Sequence, residues 1–414
     1  RVRGFLFSVH LFCFFSKIWG VKVSTRNLWS DPKIPNMFSV TRSHAAVAIL
    51  LLYPVVVLST PRLKWNFTSP PLSSPHEDYI TSTPALSLDG NTLYFGAWDH
   101  NLYALHSNNG TLKWNVTLNL GSPSSPTVGN DGTIYVGSLD SLYAVHANGT
   151  LKFRYDTNSS FWDVETPPTV GKDGAVYFGS DDGYFYAVHG NNGTLKWKDY
   201  VGSSVSAKPA LDMSESTLYF NSHNNKLYAV NMDGSLKWQF PMVNATGIDS
   251  DSFPTVATDG TIYVGEEQGA SCNLFALDSH GALIWQFDTG GPIPAKVTLS
   301  RDETTLYFGS FLDVPGQPFD NGTLYAIDSN GKEKWRYITS SPFRGKPQLF
   351  EDKIYYLNDV EGSVLYALNS TNGKYLWEYE ISDGPQGDVS PTIGKDGNVM
   401  YFAASGSSMV AVSL

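Results

Sequence analysis

The stretch TVGKDGAVYFGSDDGYFYAVHGNNGTLKW, residues 169–197, is the clearest copy of a pattern that recurs about every 40 residues through most of the chain. It contains four short apolar or alternating runs, near Thr169 and at residues 176–179, 185–188 and 195–197. Between these runs lie Lys-Asp-Gly, Ser-Asp-Asp-Gly and Gly-Asn-Asn-Gly, which accept the positive φ angles of tight hairpins. The stretch therefore predicts a four-stranded antiparallel meander.

Two sequence anchors count the copies of this unit. The second strand carries Tyr, a hydrophobic residue and usually a small residue, with the tyrosines at Tyr94, Tyr135, Tyr177, Tyr219, Tyr263, Tyr307, Tyr355 and Tyr401. The third strand carries a hydrophobic pair followed by Ala, at Ala104, Ala144, Ala187, Ala229, Ala276, Ala326, Ala367 and Ala411. A single small sheet cannot bury both of its faces and must stack on its neighbours. We therefore predict an all-β protein, an eight-bladed β-propeller of four-stranded antiparallel blades.

The two ends of the repeat region predict how the ring closes. The last unit stops at Leu414, just after its third strand, while Leu63-Lys64-Trp65-Asn66-Phe67 reads as a fourth strand with no three strands before it. We predict that this N-terminal strand completes the last blade, because that pairing leaves no open sheet edge at the seam.

Composition excludes one class of partner. The chain has 414 residues with 37 Gly and 23 Pro, a turn-rich composition that suits a large all-β protein. Its formal net charge is −11, and it contains no run of Lys or Arg. Because a phosphate backbone requires a basic stripe, we exclude nucleic acid as a partner.

The first 59 residues lack the repeat. Two interpretations stay open for residues 1–36, which precede Met37: translated upstream sequence or a longer targeting leader. Residues 37–59 combine a basic start, an apolar run at 45–58 and small residues at its end, as a signal peptide does. We predict a mature propeller at residues 60–414 that is secreted or resides in the secretory-pathway lumen, with an uncleaved signal anchor as the alternative.

Possible modification sites agree with secretion. Several Asn-x-Ser/Thr sequons coincide with Asn-Gly-Thr turns, so repeated turn chemistry is the alternative explanation for each of them. Together they predict a glycoprotein. The nine sequons are at Asn66, Asn109, Asn115, Asn148, Asn158, Asn192, Asn244, Asn321 and Asn369. Cys13 and Cys272 are the only cysteines, which excludes a disulfide framework.

The segment ALHSNNGTLKW, residues 104–114, resembles the tryptophan-docking motif of the pyrroloquinoline quinone (PQQ)-like repeat family, and its spacing recurs at residues 187–197 and 367–377. The resemblance covers residues 63–414. An aromatic side chain on the outermost strand is expected to lie across the blade interface, where small Ala and Gly residues leave room for its ring. The predicted docking aromatics are Trp65, Trp114, Phe153, Trp197, Trp238, Trp285, Trp335 and Trp377.

This resemblance implies an eight-bladed propeller and two kinds of function. Members include PQQ-dependent dehydrogenases of the quinoprotein alcohol dehydrogenase type and non-catalytic scaffolds similar to the bacterial lipoprotein BamB, with lumenal stress-sensor domains as more distant relatives. The dehydrogenases would imply adjacent cysteines beside the quinone and an acidic and amide cluster that holds calcium. This chain has no adjacent cysteines and is much shorter. We predict no catalytic, cofactor-binding or metal-binding residue, so PQQ and calcium are implied by the resemblance only.

Two weaker patterns contain the residue types of metal sites. His106, His146 and His189 lie two residues after the anchor Ala in three consecutive units. Equivalent positions on neighbouring blades are expected to be about 10 Å or more apart, whereas zinc ligands lie about 2.1 Å from one ion. The three are therefore interpreted as polar turn residues. Asp249-Ser-Asp251 begins like a calcium loop, but Phe253 occupies the next ligand position.

The distribution of charge suggests a working surface. In a propeller, the loops from the second to the third strand and from the fourth to the next blade's first share one face. The candidate binding face comprises Asp181, Asp182, Asp249, Asp251, Glu266, Glu267, Asp313, Asp359 and Glu361. Solvated loops are often acidic, and this is the alternative interpretation. The fewer basic residues placed there are Lys208, Lys226, Lys296, Arg344 and Lys346.

We therefore predict a secreted or lumenal, non-catalytic propeller that acts as a protein-binding or assembly scaffold, because variation concentrated in loops on a rigid scaffold is how such folds acquire partners. The expected partner is a protein with a basic surface, and the expected state is a monomer with no membrane contact unless the N-terminal segment is uncleaved. The alternatives are a degenerate quinoprotein oxidoreductase and a membrane-tethered sensor domain.

Overall fold

A computed structural model describes most of the repeat region, and the chain divides into two units, residues 1–59 and 60–414. The described residues all belong to the second unit, so the predicted leader and signal segments, 1–36 and 37–59, lie outside them. The described residues are 61–70, 80, 82–118, 123–157, 164–242, 252–266, 272–294, 296–311, 321–339, 342, 345–358, 364–380, 389–404 and 408–414.

The described residues form eight four-stranded antiparallel sheets, which confirms the predicted propeller. Blade 1 contains β2 (Ala85–Leu86), β3 (Thr92–Ala97), β4 (Asn101–His106) and β5 (Leu112–Thr117). Blade 2 contains β6 (Thr127–Val128), β7 (Ile134–Ser138), β8 (Ser141–Val145) and β9 (Leu151–Asp156). Blade 3 contains β10 (Thr169–Val170), β11 (Ala175–Gly179), β12 (Tyr184–His189) and β13 (Leu195–Tyr200). Blade 4 contains β14 (Ala210–Leu211), β15 (Thr217–Ser222), β16 (Lys226–Asn231) and β17 (Leu236–Pro241).

The second half of the ring repeats this order. Blade 5 contains β18 (Thr255–Val256), β19 (Ile262–Gly265), β20 (Asn273–Leu277) and β21 (Leu283–Asp288). Blade 6 contains β22 (Thr298–Leu299), β23 (Thr305–Phe311), β24 (Gly322–Asp328) and β25 (Glu333–Thr339). Blade 7 contains β26 (Gln348–Phe350), β27 (Lys353–Leu357), β28 (Val364–Asn369) and β29 (Tyr375–Glu380). Blade 8 contains β30 (Thr392–Ile393), β31 (Val399–Ala404), β32 (Ser408–Ser413) and the N-terminal β1 (Arg62–Thr68).

Ring closure follows the prediction. β1 pairs with β32 in antiparallel register, with Arg62 opposite Ser413 and Thr68 opposite Ser408. Trp65 faces Ala411, as the other docking aromatics face the Ala of their own third strands. The last blade therefore has its fourth strand, and the seam has no open edge.

The hydrophobic cores lie between blades. The middle strands are covered on both faces, so β3 with the sequence TLYFGA is buried at every position, whereas β5 at the rim contains only exposed and half-buried residues. The small residue of the second-strand anchor is required by this close approach. A Cβ atom added at Gly137 would lie 2.0 Å from the carbonyl oxygen of Val164, on the connection to blade 3.

The two faces of the ring differ in the lengths of their connections. On one face, which joins first to second and third to fourth strands, the connections have between two and five residues. On the other face, connections between second and third strands or between blades range from two to 16 residues. We call these the short-turn face and the long-loop face. No helix capable of crossing a bilayer occurs among the described residues.

Candidate functional site

The docking aromatics link each blade to the next one. The indole Nε1 of Trp335 donates a hydrogen bond of 3.0 Å to the carbonyl oxygen of Ser370 on blade 7. Its ring covers Gly373, where a Cβ atom would lie 2.6 Å from the ring and where φ is +67°. Trp65, Trp114, Trp197, Trp238 and Trp285 make the same contact with the following blade. Phe153 covers Gly193 without a donor, and Trp377 packs against the core shared with blade 8.

Three members of the candidate binding face, Asp181, Asp182 and Glu266, are among the described residues, and the other six lie outside them. Asp182 accepts hydrogen bonds from the Tyr186 hydroxyl at 2.5 Å and from the Tyr184 amide at 3.0 Å. Burial and this hydrogen bond raise the pKa of Tyr186. Asp181 accepts a hydrogen bond from the hydroxyl of Ser204. Both half-buried aspartates therefore support the loop itself as well as carrying charge on the long-loop face.

Glu266 does not lie where the sequence analysis placed it. The expectation that it is an exposed loop residue is wrong, because only 2% of its surface is accessible. Its Oε2 accepts hydrogen bonds from the backbone N and Nδ2 of Asn273, at 2.8 and 2.9 Å. Its backbone oxygen accepts another, at 2.8 Å, from the amide of Ile293. The carboxylate thus closes the base of the connection between β19 and β20.

The structure brings together three lysines that the sequence analysis treated singly. Lys208, Lys296 and Lys346 each lie two residues before the innermost strand of a blade, in blades 4, 6 and 7. The innermost strands surround the ring axis, and we call the space between them the axial channel. The ammonium group of Lys208 donates a hydrogen bond of 2.9 Å to Oγ1 of Thr127, which begins the innermost strand of blade 2. Its side chain therefore reaches past blade 3, inside the channel.

Hydrogen bonds join equivalent positions of neighbouring blades and define this level of the channel. The Thr83 amide donates to Oγ of Ser125 at 2.8 Å, and the Ser390 amide donates to Oγ1 of Thr83 at 3.0 Å. The Lys346 amide donates to Oγ of Ser390 at 2.7 Å. Blades 8, 1 and 2 thus present hydroxyl side chains at the level where blades 4, 6 and 7 present lysines.

The channel makes these lysines easy to deprotonate. Burial, and then repulsion from Lys346 and Lys208, lowers the pKa of Lys296 to about 7. Burial, and then repulsion from Lys346, lowers the pKa of Lys208 to about 8, and burial also lowers the pKa of Lys346. All three lysines are half-buried. Within the described part of the chain, no carboxylate forms an ion pair with any of the three.

The sequence places all three lysines in loops of one face, but it does not by itself show that they converge. One feature of the sequence does indicate this convergence. All three lysines occupy the same position in the repeat, two residues before the innermost strand. Equivalent positions in a closed ring face one axis, even where they lie 88 and 50 residues apart in the chain, as Lys208, Lys296 and Lys346 do.

The described residues do not fit a calcium-bound quinone. No group of three His, Cys, Asp or Glu side chains among them lies close enough to hold one metal ion. The axial channel presents ammonium and hydroxyl groups, whereas calcium requires carboxylate and carbonyl oxygens. His106, His146 and His189 are exposed at turns of the short-turn face.

Seven of the nine predicted glycosylation sites are among the described residues. Asn66, Asn109, Asn115, Asn148, Asn192 and Asn321 are exposed, and Asn369 is half-buried. Asn158 and Asn244 lie outside the described residues. At Asn109, the side-chain oxygen accepts hydrogen bonds from the amide and hydroxyl of Thr111, at 3.1 and 2.8 Å. The same turn contacts occur at Asn148 and Asn192.

Comparisons with known proteins agree with this architecture. A family model described as outer membrane protein assembly factor BamB matches residues 99–279 and 271–414. Among solved structures, BamB from Moraxella catarrhalis is 16% identical with a TM-score of 0.63, and the alignment covers 86% of this chain and 98% of that one. A europium-containing methanol dehydrogenase is 14% identical with a TM-score of 0.66, covering 86% and 93%. The quinohemoprotein alcohol dehydrogenase ADHIIG from Pseudomonas putida HK5 is 14% identical with a TM-score of 0.65, covering 86% and 76%. At these identities the likeness shows the fold alone, and no curated protein sequence matches the chain.

Proposed function

Because the chain belongs to the family of the outer membrane protein assembly factor BamB, we propose that it is a non-catalytic scaffold that binds a partner protein in the secretory pathway or outside the cell. The observation that carries this proposal is the difference between its two faces. Connections on the short-turn face have two to five residues, whereas ten residues join β23 to β24 and 13 join β17 to β18 on the long-loop face. Loops that vary on a rigid scaffold are the usual location of binding function.

The proposed partner is a protein with a basic surface. The chain carries a net charge of −11, and the candidate binding face concentrates carboxylates around the loops that depart most from the repeat. Complementary charge raises the rate of encounter between proteins more than it raises affinity, and salt screens it over about 10 Å at 0.1 M ionic strength. The association rate with this partner should therefore fall as salt is added.

Charge reversal on the long-loop face tests this proposal. The loop variant is Asp359→Lys with Glu361→Lys, in the connection between β27 and β28. Glu266 is not used for this test because its side chain is buried. The matched control is Glu378→Lys with Glu380→Lys, which makes the same charge change at exposed positions on the outer strand of the same blade. Proteins captured by the secreted wild type are identified, and their association rates with both variants are measured.

We expect the loop variant to capture the partner less well and to show a weaker salt dependence, while the control binds as the wild type does. The control changes two exposed residues, which usually alters stability by less than about 0.5 kcal/mol. Melting curves of both variants check that they are folded. Equal binding of the loop variant at low salt would show that the carboxylates are only a solvated rim. Dye reduction by protein mixed with PQQ and calcium would instead support the oxidoreductase alternative.

A further inference from the structure

The axial channel holds three positive side chains in an acidic protein without a described carboxylate to balance them. Burial disfavours the charged form of a lysine, and each additional ammonium nearby disfavours it further. Both effects act at Lys296, whose pKa falls to about 7. Repulsion among the ammonium groups disfavours protonation of all three lysines at once, unless an anion occupies the space between them. Perturbed lysines that converge on a concavity are therefore evidence for a ligand site.

The walls of the channel at this level divide into a cationic side and a hydroxyl side. Lys208, Lys296 and Lys346 come from blades 4, 6 and 7, and the hydroxyl residues Ser390, Thr83 and Ser125 come from blades 8, 1 and 2. Each of these hydroxyl oxygens accepts a backbone N–H and keeps its own proton to donate. Ammonium and hydroxyl groups are both hydrogen-bond donors, so a ligand between the two sides meets donors from both.

We infer that the axial channel binds a small oxyanion with at least two negative charges, held by the ammonium groups of Lys208, Lys296 and Lys346. A dianion with several acceptor oxygens accepts hydrogen bonds from several ammonium groups at once and removes their mutual repulsion. Interactions of this kind are stronger in a channel walled by protein than in bulk water. The site is independent of the long-loop carboxylates and of the partner proposed for them.

Inorganic sulfate is the probe, because it keeps two negative charges throughout the pH range of the test, unlike phosphate. Isothermal titration of the full propeller with sodium sulfate, at constant ionic strength, should show one saturable site at pH 6. The affinity should fall as the pH rises to 9. At pH 6 Lys296 and Lys208, with pKa values of about 7 and 8, carry a proton, whereas at pH 9 both have lost most of theirs. The bound anion would raise these values, so binding takes up protons.

Lys296→Met removes one charge while keeping a side chain of similar length. We expect this variant to bind sulfate about tenfold more weakly or worse, since a hydrogen bond to a charged group contributes about 1.5–3 kcal/mol. The matched control is Lys374→Met, an exposed lysine on the short-turn face, which should bind as the wild type does. Sulfate also stabilises proteins by exclusion from their surfaces, and that general effect is equal in the two variants.

Melting curves without sulfate show that each variant is folded, and Lys296→Met should melt no lower than the wild type because it removes a buried charge. Three results would each overturn the inference. The first is no saturable sulfate binding by the wild type at pH 6, and the second is equal affinity in Lys296→Met. The third is binding of a short polyglutamate peptide but not sulfate, which would assign the channel to an acidic side chain of a partner protein.

Discussion

Each docking aromatic couples two blades through one ring face and, in six of them, one N–H donor. Beneath seven of the eight rings lies a turn glycine with a positive φ and no room for a Cβ atom, as Gly373 shows under Trp335. A side chain at this glycine would both strain the backbone and displace the ring. The pair therefore explains why the Gly and the aromatic residue recur together in the sequence.

Trp335→Ala should lower the free energy of unfolding by about 3 to 5 kcal/mol, because it empties a buried site at the interface of blades 6 and 7. Chemical denaturation measures this change. Trp335→Phe is the matched control, since Phe153 occupies the same position in blade 2 and covers its glycine without an N–H donor. Trp335→Phe should lower the free energy of unfolding by about 1 kcal/mol through loss of the N–H hydrogen bond. The smaller ring adds a further loss of packing contact. An equal loss of unfolding free energy in Trp335→Ala and Trp335→Phe would show that contact with the ring face contributes little to stability.

Glu266→Lys should destabilise the protein, because it replaces a buried carboxylate that accepts two hydrogen bonds from Asn273 with a cation that accepts none. We expect a loss of about 2 to 4 kcal/mol in denaturant unfolding. Glu266→Gln keeps an oxygen able to accept from Asn273 and should cost less. A stability unchanged in Glu266→Lys would contradict the closed geometry of this connection.

At the scale of the elements, one strand decides whether the ring is closed. β1 supplies the fourth strand of blade 8 and also places Trp65 over Gly110, with its Nε1 donating to the carbonyl oxygen of Ser107 on blade 1. This strand therefore joins the first and last blades by pairing on one side and by docking on the other.

Deletion of residues 60–68 should lower the melting temperature sharply, because it exposes the edge of β32 and removes the docking ring at the seam. A permuted chain is the control. Since Arg62 lies opposite Ser413, a four- or five-residue turn like those of the other blades can join Leu414 to the relocated strand. Scanning calorimetry should show recovery of most of the lost stability in the permuted chain. If the deletion leaves the melting temperature unchanged, the strand does not hold the ring.

At the scale of the whole molecule, most of the exposed sequons among the described residues lie away from the long-loop face. Asn109, Asn148 and Asn192 lie in turns of the short-turn face, and Asn66 and Asn115 lie on rim strands. Asn321 is the described exposed exception, at the end of the connection between β23 and β24. Glycans at the five other positions would leave the proposed binding surface accessible.

We expect the secreted protein to begin near Thr60 and to carry N-linked glycans, with Asn369 the least modified of the described sites because it is half-buried. N-terminal sequencing and peptide mass spectrometry before and after enzymatic deglycosylation measure both features. An Asn109→Gln variant should lose the mass of one glycan. A cytosolic, unglycosylated chain that starts at or before Met37 would contradict the secretory assignment.

The eight blades, the closing strand and the docking aromatics could be predicted from the sequence because each depends on local patterns. Hairpin turns set the pairing of neighbouring strands, and Trp65 without three preceding strands could only complete a blade that lacked its fourth. Eight units carry the same pattern, so the unit around Tyr355, where Leu357 replaces the usual small residue, does not obscure it.

Tertiary structure alone decided the environment of the charged residues. Glu266 reads as a loop carboxylate in the sequence, yet its side chain is buried and its Oε2 accepts two hydrogen bonds from Asn273. Lys208, Lys296 and Lys346 read as scattered surface charges, and only ring closure turns their shared repeat position into one site on the axis. Strand pairing depends on neighbours along the chain, whereas burial and charge depend on every group that surrounds a side chain in space.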